Sequence, residues 1–247
     1  PAGSFSFGLK IGRRSADLAL MDLMGAVRAQ TQVQYHFPDP DALLAFLQDG
    51  IAAMSADLAP EQRALICGIG IAAPFELWKR HEIIGADDRS YDSWHGRDIV
   101  KEMAAFTELP ISLVNDATSA CYAENTFGQG RKFRDYAYFF IGAFAGGGVV
   151  MNGAVFEGHR ENAGALGSLI TRDAKGRPAQ LMDRASIFWL EAAIREAGGD
   201  PSLLWTQGAD WADFEHQLGP WIEMAAQELA MAALSCCAVI DFEAVLI

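Results

Sequence analysis

Asp116 is the residue in this sequence best placed to do chemistry. It follows Asn115 and opens a stretch of helical periodicity at Ala117. A carboxylate there can take a proton from a hydroxyl as a general base. It can also cap the helix, because aspartate accepts a first-turn N–H well, and the two roles are compatible. Lys10, Arg13 and Arg14 cluster around Gly12 and could hold an anionic group. The alternative is a salt bridge from Lys10 to Asp116 with solvated arginines. Gly146, Gly147 and Gly148 could cradle a ligand, or could serve a tight strand-to-strand connection that needs positive φ. The sequence favours the second reading. Four cysteines, Cys67, Cys121, Cys236 and Cys237, form no Cys-x-x-Cys pair, and five histidines lack ligand spacing. Buried, reduced thiols and no metal are expected. No cofactor is implied.

The elements that must position these residues follow an α/β pattern. Phe5, Phe7, Leu9 and Ile11 alternate within residues 4–11, which is strand periodicity. Further strands are expected at 16–23 and 27–35, joined by tight turns as an antiparallel start to a sheet. Asp39-Pro40 signals a helix start, followed by a strand at 64–72. A helix is expected at 94–107, a strand at 111–114 and a helix at 116–127. The pattern then repeats, with strands at 136–141, 147–151 and 154–156 and a hairpin signal at Asn152-Gly153. That echo suggests a duplicated, two-lobed architecture. Helices at 179–197 and 221–237 and an apolar strand at 244–247 close the sequence. Such a strand would leave an exposed edge, so the natural protein is expected to continue past Ile247. The tryptophans Trp94, Trp189, Trp205, Trp211 and Trp221 are spaced for packing rather than for sugar stacking.

The chain has 247 residues, of which 51% are hydrophobic and 21% charged. That is long enough for a large domain or two lobes and has an ordinary globular composition. No uninterrupted apolar run approaches the roughly 18–20 residues of a membrane span. The first residues, Pro1-Ala2-Gly3-Ser4, carry no basic segment or signal-like core. A cytoplasmic protein without a membrane partner is expected. The net charge is −13. A surface this acidic repels phosphate backbones, so the chain by itself should not bind DNA. A neutral ligand such as a sugar is not disfavoured.

Three collinear segments carry a resemblance to a known family. Val114-Asn115-Asp116-Ala117-Thr118 is similar to Glu-Asn-Asp-Ala-Asn. Gly142-Ala143-Phe144-Ala145-Gly146-Gly147-Gly148 resembles a phosphate loop, Gly-Thr-Gly-x-Gly-Gly-Gly. Asn162-Ala163-Gly164-Ala165-Leu166-Gly167-Ser168 resembles Asn-Ala-Gly-Glu-Ile-Gly-His. By these motifs the chain resembles the ROK family of repressors, open reading frames and kinases over nearly its whole length. The resemblance implies a ribonuclease-H-like, actin-like fold with two lobes around a cleft, at 1–115 and 116–247. It places Asn115, Asp116, Gly147, Asn162 and Ser168 at a ligand.

The departures from the pattern decide the implied function. Kinases of the family have Asp-x-Gly-Gly-Thr at the first strand end, where this chain has Lys10-Ile11-Gly12-Arg13-Arg14. An ammonium in place of a carboxylate removes an oxygen ligand from Mg²⁺. In the second loop Ala143 stands for threonine and Phe144 for glycine, and a ring there blocks close approach. Ala165, Ser168 and Met182 replace sugar-contacting residues, and residues 173–180 hold none of the cysteines of a zinc segment. Both phosphate loops are therefore degenerate. The implied function is effector sensing and dimerisation in a ROK-type transcriptional regulator, with a sugar or sugar derivative as ligand. A homodimer is expected, with DNA contact through a helix-turn-helix that this chain lacks. The enzyme alternative is a divergent ATP-dependent sugar kinase with Asp116 as base. A third is a dimerisation module without a ligand.

Overall fold

Phe5, Phe7, Leu9 and Ile11 lie on one face of β1 (Phe5–Ile11) and are almost wholly buried. This is the alternation read in the sequence. The computed structural model describes residues 3–74, 93–173, 175–206, 208 and 210–247. β2 (Ser15–Asp22) and β3 (Val27–Gln34) continue from β1 as an antiparallel meander. Asp22 fixes their connection: its carboxylate accepts from the Met24 and Ala26 N–H groups at 2.9 and 3.0 Å and pairs with Arg28. Pro40 opens α1 (Pro40–Ala56), and Asp39 Oδ1 accepts the Ala42 N–H at 2.8 Å. A short α2 (Pro60–Arg63) leads to β4 (Ile66–Ala73).

The helix expected at 94–107 is only α3 (Ile99–Met103). Gly96 adopts φ +78°, and Asp98 caps the helix start. Trp94 is buried instead in the core, its Nε1 donating to Pro38 O at 2.6 Å. β5 (Ile111–Asn115) pairs parallel with β4, and β4 parallel with β1. The sheet order is β3-β2-β1-β4-β5.

α4 (Asp116–Phe127) follows directly. β6 (Tyr136–Phe140), β7 (Gly146–Met151) and β8 (Ala154–Val155) form a second antiparallel meander. Asn152 and Gly153 both have positive φ, 55° and 77°, the signature of the hairpin turn expected from that dipeptide. β9 (Ile170–Arg172) and β10 (Pro178–Gln180) form a separate hairpin. The continuous helix expected at 179–197 is divided into α5 (Met182–Ala185) and α6 (Ile187–Glu196). Ser186, with φ −77° and ψ 146°, is extended between them. The last helix, α7 (Glu215–Ile240), begins before the expected residue and tolerates Pro220 within it. β11 (Ala244–Leu246) lies parallel to β6, giving the order β11-β6-β7-β8. Both sheets therefore contain a three-strand meander whose first strand takes a parallel neighbour.

The chain divides into two compact units, Pro1–Asp116 and Ala117–Ile247. The first has its core on β1, β2, β4 and α1, around Phe7, Leu9, Leu18, Leu47 and Ile71. In the second, Phe139, Leu166, Leu181 and Leu229 pack the sheet against α5 and α7. The helical stretch Trp211–Ile240 is long and apolar enough to cross a membrane by composition. In this fold Ala225, Leu229 and Ala232 of α7 pack into the second unit's core, while Met231, Leu234 and Val239 are exposed.

Candidate functional site

β1, β4 and β5 run parallel and side by side. Their carboxyl ends therefore emerge at one edge of the first sheet, where parallel sheets hold ligands. The turn Gly12-Arg13-Arg14 follows β1, and Asn115-Asp116 ends β5 and begins α4. One strand separates them, or about 10 Å between strand axes. The turn is held at several points. The Gly12 N–H donates to Ser15 O at 2.8 Å, and Tyr35 Oη donates to Gly12 O at 2.8 Å. Arg14 Nη1 donates to His36 O at 2.8 Å. Arg13 is thus not solvated as the sequence suggested, being only 9% exposed, whereas Arg14 is partly exposed and donates to a carbonyl. Lys10 is exposed and stands opposite Asp17 in the β1–β2 register. Burial, with the negative charge of Asp17, pushes the Tyr35 phenol far above its usual range, so it stays a donor to the turn. Asn115 and Asp116 are half-buried. Asp116 is itself the first helical residue of α4, where its charge meets the positive end of the helix dipole.

In the second unit Ala143 and Phe144 lie in the β6–β7 connection, Gly147 lies in β7, and Asn162 and Ser168 flank a segment that packs on β7 through Gly164 and Gly167. Residues 142–145 lie in the β6–β7 loop, and three of its backbone groups have partners. Gly142 O accepts the Ile187 N–H at 3.0 Å, and Ala143 O accepts the Phe188 N–H at 3.3 Å. These are the first N–H groups of α6, which a helix otherwise leaves unsatisfied. The Ala145 N–H donates to Ser186 Oγ at 2.8 Å. The Phe144 ring stacks on Phe188 with centroids 6.0 Å apart, and Trp189 meets Phe188 edge-on at 5.3 Å. The loop is thus tied to the start of α6 through two carbonyls and to Ser186 through the Ala145 amide, and its Phe144 ring is taken up by Phe188.

Gly146, Gly147 and Gly148 are needed for a different reason from the one expected. None of them has positive φ; all lie within β7. They are small because neighbours press on them. A Cβ on Gly146 would come within 2.8 Å of Ala117, and one on Gly148 within 2.6 Å of Cys121, both on α4. A Cβ on Gly147 would strike Tyr138 O and Leu166. The Asn162–Ser168 segment packs against the same strand. Gly164, at φ +76°, would bring a Cβ to 2.6 Å from the Gly148 Cα, and one on Gly167 would strike Ala145 O. Leu166 and Gly167 are buried, leaving Asn162 and Ser168 exposed on either side. The Met182 side chain closes over Gly167. Of the four thiols expected to be buried, Cys121 is, and burial raises it to about 12; Cys67 is exposed, and Cys236 and Cys237 are partly buried.

The connection between β9 and β10 is tied by one carboxylate. Asp173 Oδ1 accepts the Lys175 and Arg177 N–H groups at 2.8 and 2.9 Å, and Oδ2 accepts from Arg177 Nε at 2.7 Å. These bonds hold the Asp173 pKa below the usual carboxylate range. Among the described residues no cluster of histidine, cysteine and carboxylate side chains could hold a metal.

Ser186 and Phe188 were not singled out from the sequence. The one local signal was a serine before an apolar helical run, the composition of an N-cap. Trp221 was read as packing, and its Nε1 in fact donates to Ser186 O at 2.9 Å.

A model of the ROK family matches residues 6–179. The bifunctional enzyme NanE/NanK of Brucella suis is 31% identical over 149 residues, 60% of this chain and 27% of that protein. The xylose repressor of Bacillus subtilis is 23% identical over 165 residues, 67% of this chain and 42% of that protein. The chain thus spans less than half the length of either. Among solved structures, a ROK family glucokinase from Streptomyces griseus in complex with glucose and AMPPNP aligns with TM-score 0.69 at 17% identity, covering 98% of this chain and 82% of that one. A ROK family transcriptional regulator, a homologue of the E. coli MLC protein, aligns with TM-score 0.59 at 20% identity, covering 96% and 70%.

Proposed function

From the premise that this chain belongs to the ROK family and has its actin-like, ribonuclease-H-like sugar-kinase fold, we propose that it senses a sugar or sugar derivative as part of a transcriptional regulator. The observation that carries this reading is the 142–145 loop. Its Ala145 amide is bonded to Ser186, its Gly142 and Ala143 carbonyls cap α6, and Phe144 is stacked on Phe188. Phosphoryl transfer consists mainly of positioning and charge stabilisation. Lys10 at the first strand end, in place of a carboxylate, disfavours a metal–triphosphate complex further.

In this reading Asn115, Asp116, Gly147, Asn162 and Ser168 contact the ligand, and Asp116 binds a hydroxyl without activating it. The protein acts as a cytoplasmic homodimer, and ligand binding biases its conformational equilibrium. DNA contact belongs to a helix-turn-helix outside these 247 residues, since this acidic body repels DNA. The similarity to the xylose repressor supports the reading.

A divergent sugar kinase is the second reading, favoured by the similarity to NanE/NanK and by the retained Asn115-Asp116 pair. The two separate on a sugar panel that includes D-xylose and D-glucose. The sensor reading expects a sugar to raise the melting temperature; a saturating ligand at a hundred times its Kd adds about 2.7 kcal/mol. It also expects no heat of Mg-ATP binding and no ADP release. Turnover that Asp116→Asn abolishes would establish the kinase instead.

A further inference from the structure

We propose that Ser186 is a positioning residue for the ligand-facing loops of the second unit, acting through Ala145. Its side chain is completely buried, yet its hydroxyl is used in both directions. Ser186 Oγ accepts the Ala145 N–H at 2.8 Å and donates to Met182 O. Its carbonyl accepts the Trp221 Nε1–H at 2.9 Å. One residue therefore joins the 142–145 loop, α5 and α7. The two residues after it add the bonds from Ile187 and Phe188 to Gly142 O and Ala143 O. The loop is thereby bracketed at Gly142 and Ala143 on one side and at Ala145 on the other.

The bracket extends to the ligand segment. Ala145 O stands so close to Gly167 that a Cβ there would strike it, and Met182, whose carbonyl Ser186 holds, covers the same glycine. Leu166 is buried in one cluster with Ala145. Moving Ala145 must therefore move Gly167 and the Ser168 beside it. A hydroxyl suits this place because it donates and accepts at once. Alanine would leave the buried Ala145 N–H and Met182 O without this partner, and the loop would lose its fixed end. The extended backbone at Ser186, which interrupts the α5–α6 helix, is what directs the hydroxyl to the loop.

The assignment rests on the sensor reading only for its last readout. Amide hydrogen exchange on the ligand-free protein tests it directly. In the wild type the Ala145 amide should exchange as slowly as the Val150 amide in β7. Ser186→Ala should speed exchange at Ala145, Leu166 and Ser168 at least tenfold, leave Leu9 and Leu18 of the first sheet unchanged, and be rescued by Ser186→Thr. Fast exchange of Ala145 in the wild type would overturn the assignment even if the alanine variant failed to fold. So would equal acceleration at Leu9 and Leu18, which marks a general loss of stability. Where D-xylose or D-glucose raises the wild-type melting temperature, Ser186→Ala should weaken that sugar at least tenfold. Sugar affinity unchanged in the variant would also overturn it. If neither sugar binds the wild type, that counts against the sensor reading, and the exchange pattern still decides the role of Ser186.

Discussion

Phe144 and Asp22 show how single side chains set this structure, and each gives a measurable expectation. Phe144 replaces a glycine of the family pattern and stacks on buried Phe188. Phe144→Ala should cost about 1–2 kcal/mol, less than a fully buried ring because Phe144 is half-buried. Urea denaturation measures this. Asp22 is buried in the β2–β3 turn. Burial alone would raise its pKa, but the bonds from Ala26, Arg28 and Met24 and the guanidinium charge outweigh it and hold it low. A depressed folded-state pKa gives stability that is full above the unfolded value of about 4 and fades as the pH falls through the folded value. The stability difference between wild type and Asp22→Asn should therefore be constant near neutrality and close in acid. Denaturation midpoints measured from pH 7 down to about pH 3 would show the convergence.

At the level of elements, β7 and the 162–168 segment depend on glycine for contact. Gly164 combines positive φ with backbone atoms of Gly148 and Val149 within 3 Å of any added Cβ. Gly153 has positive φ but open space around it. Gly153→Ala should cost about 1 kcal/mol, the left-handed penalty alone, and Gly164→Ala clearly more. Chemical denaturation of the two variants would test the order. The strands were legible because alternation is a local signal: Phe5, Phe7, Leu9 and Ile11 face one core. The helix at 94–107 was misread because its apolar residues serve the core from a turn at Trp94 and from α3 separately. The break at Ser186 was missed because its partner, Ala145, lies 41 residues away. The same holds for the site. Lys10, Arg13, Arg14 and Phe144 stand at a strand end or in a loop and could be read in place. The pressure of α4 on Gly146 and Gly148 is tertiary and left no local mark.

For the molecule as a whole, charge and topology carry the expectations. With a net charge of −13, residues 1–247 should show no change in fluorescence anisotropy of a labelled DNA duplex even at about 50 mM salt, where phosphate contacts are strongest. The second consequence comes from the repeated sheet plan. The Gly12-Arg13-Arg14 turn follows the first strand of one meander, and the 142–145 loop follows the first strand of the other. The two positions are structural twins, and each departs from the family pattern in its own way, one with cationic side chains and the other with an aromatic ring. On the sensor reading proposed above, restoring aspartate at position 10 or glycine at position 144 singly should give no ADP release with Mg-ATP and a sugar, since in each variant the other position keeps its altered side chain.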